Sequence, residues 1–241
     1  VTVGINVDPD NPGGRPTPER LLAAQFEGVR LTARDNPQNR QYVADMVTAG
    51  FQVVAIVGTG DNAGFVPPHP EVVLQIFNEP DLDGPTALEP AAYADVFATF
   101  RATFPLYDCW TAGFASGQPA YYEQFLAALS DEHPDINWPN AVAIHPYGQS
   151  PDGLRALAEA YWNVTGSIPV VATEWFHSAG QGLIWPFQDA LANPNAGVCT
   201  VWNSFFPWGI SMTPELGGLV DPSQECIAEG FELISALDGV C

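Results

Sequence analysis

Val72-Val73-Leu74-Gln75-Ile76-Phe77-Asn78-Glu79-Pro80 opens as an apolar run and delivers a carboxyl group immediately before a proline. A short run of this kind reads as a strand buried on both faces, and the proline stops it. Glu79 therefore falls at the strand's C-terminal tip. The pattern recurs at Ile168-Pro169-Val170-Val171-Ala172-Thr173, which runs into Glu174-Trp175. Two glutamates, each at the tip of a buried strand, suggest a site of paired carboxylates.

Outward from these two runs, strand-like and helix-like segments alternate along the whole chain. Strands are expected at 3–7, 28–32, 51–57, 72–77, 109–112, 141–144, 170–173 and 197–202. Helical spacing or a helix-start signal places helices at 20–26, 38–49, 90–104, 119–129, 152–161, 183–191 and 224–237. Residues 58–70 are rich in Gly and Pro and give no helix, so the third helix is reduced. Eight apolar strands in strict alternation match a single (β/α)8 barrel spanning residues 1–241, with short rim loops. A doubly wound open sheet is the structural alternative. Against it, no strand runs into a glycine-rich phosphate loop.

Composition narrows the function classes. The chain has 241 residues, 46% hydrophobic and 15% charged, which excludes a disordered or coiled-coil protein. No apolar run is long enough for a membrane span. The net charge is −21, and all seven basic residues are arginine. Such a surface repels nucleic acid and anionic lipid and permits neutral substrates. The four cysteines, Cys109, Cys199, Cys226 and Cys241, show no CxxC spacing, which argues against zinc. Their even number fits one or two disulfides, with Cys199 or Cys226 as a partner for Cys241. With the sequon Asn163-Val164-Thr165, this favours an extracellular protein whose signal peptide has been removed. His69, His133 and His177 lack HxH or HExxH spacing, and no G-x-S-x-G elbow exists, so metallohydrolase and serine-hydrolase chemistries are not expected.

In a barrel the C-terminal strand ends converge on one rim. Collecting them gives Asn6, Arg30, Asn78, Glu79, His145, Tyr147, Glu174, Trp175 and Trp202, a set that packing alone does not require. Here the sequence resembles the retaining glycoside hydrolases of clan A. Asn78-Glu79-Pro80 after the fourth strand, a glutamate after the seventh, an arginine in the second, His145-Pro146-Tyr147 after the sixth and a tryptophan in the eighth all match that pattern, and the match spans the whole barrel.

The resemblance implies that Glu79 is the general acid/base and Glu174 the nucleophile of a metal-free, cofactor-free enzyme acting on a neutral carbohydrate. The retaining mechanism needs an acid beside the leaving oxygen and a carboxylate below the anomeric carbon, about 5–5.5 Å apart. Arg30 would keep Glu174 ionised, while a second carboxylate and apolar neighbours would keep Glu79 protonated. Asn78 would bind the sugar 2-hydroxyl, Tyr147 or His145 would orient Glu174 or meet hydroxyls, and Trp202 would form the floor of the site. Trp175, Trp185 and Trp208 are candidates for further subsites.

Plainer readings stand beside these. Arg30 could pair with Asp35 or Glu27 at the surface, His145 could merely satisfy loop backbone, and Trp202 could be core. Asn6 and Asp8 could line the rim but read better as ordinary strand-end residues. Short loops favour an open cleft and internal cleavage, although 58–70 or 205–220 could wall one end. A transglycosylase with the same residues, or a non-catalytic carbohydrate-binding barrel, are the rival functions. A monomer is expected.

Overall fold

The computed structural model describes residues 2–7, 9–10, 16–23, 26–59, 64–146, 151–165, 168–174 and 202–205. In chain order these form β1 (Thr2–Asn6), α1 (Pro18–Ala23), β2 (Gly28–Thr32), α2 (Pro37–Thr48), β3 (Gln52–Val57) and β4 (Val73–Ile76). They continue as α3 (Pro90–Thr103), β5 (Cys109–Trp110), α4 (Pro119–Glu132), β6 (Val142–Ile144), α5 (Pro151–Thr165), β7 (Val170–Ala172) and β8 (Trp202–Phe205). Among the described residues no helix separates β3 from β4, as the Gly/Pro-rich stretch predicts. α4 and α5 run three and four residues beyond their expected ends, 129 and 161. The helices expected at 183–191 and 224–237 lie outside the described residues.

The eight strands form one sheet in the order β5-β4-β3-β2-β1-β8-β7-β6, every pair parallel. Its two end strands also meet, through parallel bridges Trp110↔Ala141 and Phe114↔Ile144. Backbone bonds fix this junction: Thr111 N–H to Ala141 O at 3.1 Å, Phe114 N–H to Ala143 O at 3.1 Å, and His145 N–H to Phe114 O at 2.8 Å.

Strand alternation separates two apolar populations. Val53, Ala55, Leu74, Ile76, Val142 and Val170 pack with the helices in one large core. Val54, Val73, Trp110, Ala141 and Val171 form a second, smaller cluster across the strands. Further along the same alternate positions the residues turn polar: Gln75 follows Val73, and Thr173 follows Val171. Apolar side chains thus pack beneath a polar layer at the strands' C-terminal ends.

Behind β4, β5 and β6 the core is aromatic. Tyr93 of α3 packs on Phe125 of α4 with centroids 4.8 Å apart, and Phe114 stacks on Tyr161 of α5 at 6.1 Å. The Tyr93 hydroxyl donates to Ile76 O at 2.9 Å and accepts from Ala112 N–H at 2.6 Å, tying the helix to β4 and to the segment that follows β5. Cys109 is a free, buried thiol, and burial raises its pKa. Cys199, Cys226 and Cys241, to which the disulfide expectation applies, lie outside the described residues.

The eighth strand requires a correction. It was expected to end at Trp202, but its described part begins there and runs to Phe205. Trp202 is in register with Val170, and Phe205 with Ala172, so Trp202 sits beside the start of β7 rather than beside Glu174. The polar pair Asn203-Ser204 ended the apolar run in the sequence, yet parallel pairing uses the backbone, which polar residues supply equally well.

Candidate active site

The tip of β4 leaves strand geometry abruptly. Phe77 and Glu79 both take positive φ, 72° and 50°, with Asn78 between them. Such conformations cost about 1–3 kcal/mol each outside glycine and persist only where surrounding contacts hold them. The contacts are present: Phe77 N–H donates to Val57 O at 2.8 Å, and Glu79 N–H to Gly113 O at 3.2 Å. The result is that Asn78 reaches Arg30 while Glu79 reaches His145.

Arg30, only 2% exposed, is the hub. Its Nε donates to Gln75 Oε1 at 2.7 Å. One terminal nitrogen donates to Glu174 Oε1 at 2.6 Å and to Asn6 Oδ1 at 2.8 Å, and the other to Asn78 Oδ1 at 2.9 Å. Gln75 in turn donates to Asn78 Oδ1 at 3.2 Å and to Phe77 O at 3.2 Å. Three neutral amide oxygens and one carboxylate therefore surround a buried guanidinium, which would be costly if unpaired. The surface alternatives for Arg30 are not what forms: Asp35 pairs with Arg40 instead.

His145, fully buried at the end of β6, touches both glutamates. Its Nδ1 lies 2.8 Å from Glu79 Oε1, and its Nε2 lies 3.1 Å from Thr173 Oγ1 and 3.6 Å from Glu174 Oε1. The ring occupies space that only a glycine leaves open: a Cβ on Gly113 would stand 1.9 Å from His145 Nε2. One atom each from Glu79, His145 and Glu174 lie within 4.8 Å of one another. That spacing would suit a metal ion, but Arg30 already supplies a cation 2.6 Å from Glu174 Oε1, and a second positive charge there would be repelled. The carboxylates remain partly accessible, with 25% of the Glu79 and 13% of the Glu174 side chain exposed.

Of the residues picked out from sequence, the structure brings together Arg30, Asn78, Glu79, His145 and Glu174. Tyr147, Trp175, Trp185 and Trp208 lie outside the described residues, as does the side chain of Trp202. Asn6, read as an ordinary strand end, belongs to the cluster: it accepts from Arg30 and donates to Thr173 O at 3.1 Å. Gln75, Gly113 and Thr173 were missed. Gln75 alone carried a signal, as a lone amide in an otherwise apolar run.

A buried arginine surrounded by acceptors, two partly exposed carboxylates and a histidine between them form a polar cluster at one end of a parallel sheet in an α/β fold. No protein-family profile matches the chain, and no curated protein matches it in sequence. Solved structures do match in fold. An endo-β-1,3-glucanase of glycoside hydrolase family 128, subgroup IV, from Lentinula edodes superposes with a TM-score of 0.69 at 15% identity, over 98% of each chain. A subgroup I endo-β-1,3-glucanase from Amycolatopsis mediterranei, in complex with laminaritriose, gives 0.66 at 16% identity, over 98% of this chain and 99% of that one. A family-39 β-xylosidase from Caulobacter crescentus gives 0.64 at 15% identity, over 96% and 70%. The chain thus shares the fold of clan A glycoside hydrolases.

Proposed function

We propose that the chain is a (β/α)8-barrel retaining glycoside hydrolase, with Glu174 as nucleophile and Glu79 as acid/base. The observation that carries this reading is the different character of the two carboxylates' partners: Glu174 Oε1 lies 2.6 Å from the Arg30 guanidinium, whereas Glu79 Oε1 lies 2.8 Å from the imidazole Nδ1 of His145. The ion pair favours the carboxylate form of Glu174, which the nucleophile requires. His145 suits Glu79 in either protonation state. An ionised Glu79 accepts from Nδ1–H; a protonated Glu79 donates to Nδ1, leaving Nε2–H to donate to Thr173 Oγ1.

In the proposed reaction the two carboxylates act in two steps. A Glu174 oxygen bonds to the anomeric carbon as the bond to the leaving oxygen breaks, and the Glu79 proton passes to that oxygen. Glu79, now a carboxylate, takes a proton from water, whose oxygen attacks the anomeric carbon and releases Glu174. Asn78 stands beside the pair with its amide nitrogen available to a sugar hydroxyl. The aromatic subsites fall to Trp175 and Trp208.

A neutral β-1,3-glucan is the first substrate to test, because full-length fold likeness extends to β-1,3-glucanases, and internal cleavage is the mode an open cleft favours. We further infer an extracellular protein, since a polymeric substrate is met outside the cell.

The test is a panel of neutral glucans, mannans, galactans and xylans, with product sizes read by mass spectrometry. An oligosaccharide ladder from a β-1,3-glucan is expected. Glu174→Ala should abolish turnover with the fold intact. Glu79→Ala should lose about 10²–10⁴-fold on the polymer but keep the first step on an aryl glycoside whose leaving group needs no proton. A Glu174→Ala variant of normal activity would overturn the nucleophile assignment.

A further inference from the structure

Asn6 closes β1, and its amide is shared between two strands that do not adjoin. In register it stands beside Arg30 of β2, whose terminal nitrogen donates to Asn6 Oδ1 at 2.8 Å. On the other side Asn6 Nδ2 donates to Thr173 O at 3.1 Å, although β8 lies between β1 and β7 in the sheet. These partners fix the orientation of the amide: turned over, it would set donor against donor and oxygen against oxygen. A carboxylate could serve only the first partner, and an ammonium only the second.

Both partners bear on Glu174. Thr173 O belongs to the peptide group that joins Thr173 to Glu174, so the bond from Asn6 holds the backbone from which the Glu174 side chain projects. Thr173 is held from its other side as well, by its N–H to Ile144 O at 3.1 Å, and its hydroxyl lies 3.1 Å from His145 Nε2. The Arg30 nitrogen that donates to Asn6 is also the one that donates to Glu174 Oε1, at 2.6 Å. A terminal guanidinium nitrogen carries two hydrogens, and here Asn6 takes one and Glu174 the other. One side chain thus fixes where the cation's N–H points and where the carboxylate begins.

We propose that Asn6 is the positioning residue of the nucleophile, holding the guanidinium with its oxygen and the Thr173–Glu174 peptide with its nitrogen so that Glu174 meets Arg30 in one geometry. This rests on the glycosidase reading above. The neutrality of the amide matters as much as its shape. Glu174 faces Arg30 from β2, His145 beyond β6 and Glu79 beyond β4. A further negative charge on Arg30 would compete for that cation and disfavour the ionised nucleophile.

Two variants separate charge from shape. Asn6→Asp keeps the shape, adds the charge and loses the donation to Thr173 O, whereas Asn6→Ala removes both bonds and adds no charge. Each is assayed against pH on an aryl glycoside of the sugar that the wild type cleaves, a β-1,3-linked glucose disaccharide in the first instance. Rates are divided by the fraction of enzyme that a mechanism-based fluorosugar labels. In both variants kcat per labelled site should fall about tenfold, with KM within about twofold of the wild type. The acid limb of kcat/KM, which reports ionisation of the nucleophile in the free enzyme, should move up by about one pH unit in Asn6→Asp and should not move up in Asn6→Ala. Wild-type kcat and an unmoved limb in both variants overturn the proposal. A loss that the labelled fraction accounts for, with the limb unmoved, also overturns it, because Asn6 then serves folding alone. A wild type inert on the whole glycan panel and unlabelled by the fluorosugar overturns the glycosidase reading, and the role of Asn6 with it.

Discussion

Two residues that carry no motif set the geometry of the site. Gly113 leaves the space through which the His145 ring reaches both carboxylates. Gly113→Ala should displace that ring and lower kcat by about a hundredfold, the scale of a 1 Å misplacement, with overpacking costing about 1–3 kcal/mol in a denaturant melt. Gln75 holds the Arg30 Nε–H in a fully buried position. Gln75→Leu leaves a charged donor unpaired and should cost about 1.5–3 kcal/mol of stability, seen as a lower urea midpoint. Neither requirement is legible in sequence as Glu79 and Glu174 are. A glutamate after a buried strand is conspicuous because charge there is costly. A glycine in Ala112-Gly113-Phe114 looks like any other until the sixth strand is seen to lay a ring against it.

At the scale of elements, each described helix begins at a proline: Pro18, Pro37, Pro90, Pro119 and Pro151. A proline at the first turn loses no helical hydrogen bond and presets the backbone, which is why helix starts were legible to within a few residues. Only α2 among α2, α3 and α4 adds a side-chain cap, where Asn36 Oδ1 accepts from Asn39 N–H at 2.8 Å. Asn36→Ala should therefore cost about 1 kcal/mol, measurable as a shift in thermal midpoint. Strands were legible wherever burial on both faces made them continuously apolar, as in β3 and β4. β8 escaped because Trp-Asn-Ser-Phe breaks that run, and only pairing with β1 and β7 shows that the strand continues.

For the whole molecule, a net charge of −21 without any lysine means that folding gathers like charges. Raising sodium chloride from near zero to about 0.15 M should raise the melting temperature, since screening weakens that repulsion. A fall instead would mean that surface ion pairs such as Arg34–Asp10 outweigh it. The seam between β5 and β6 has a further consequence. Two isolated bridges join those strands, and the His145 amide is one of the stitches. Thermal breathing that loosens this seam would release the ring that spans Glu79 and Glu174 while the aromatic layer outside stays packed. Heat should accordingly silence the proposed activity some degrees before the protein melts, and amide exchange at Thr111, Phe114 and His145 should quicken first.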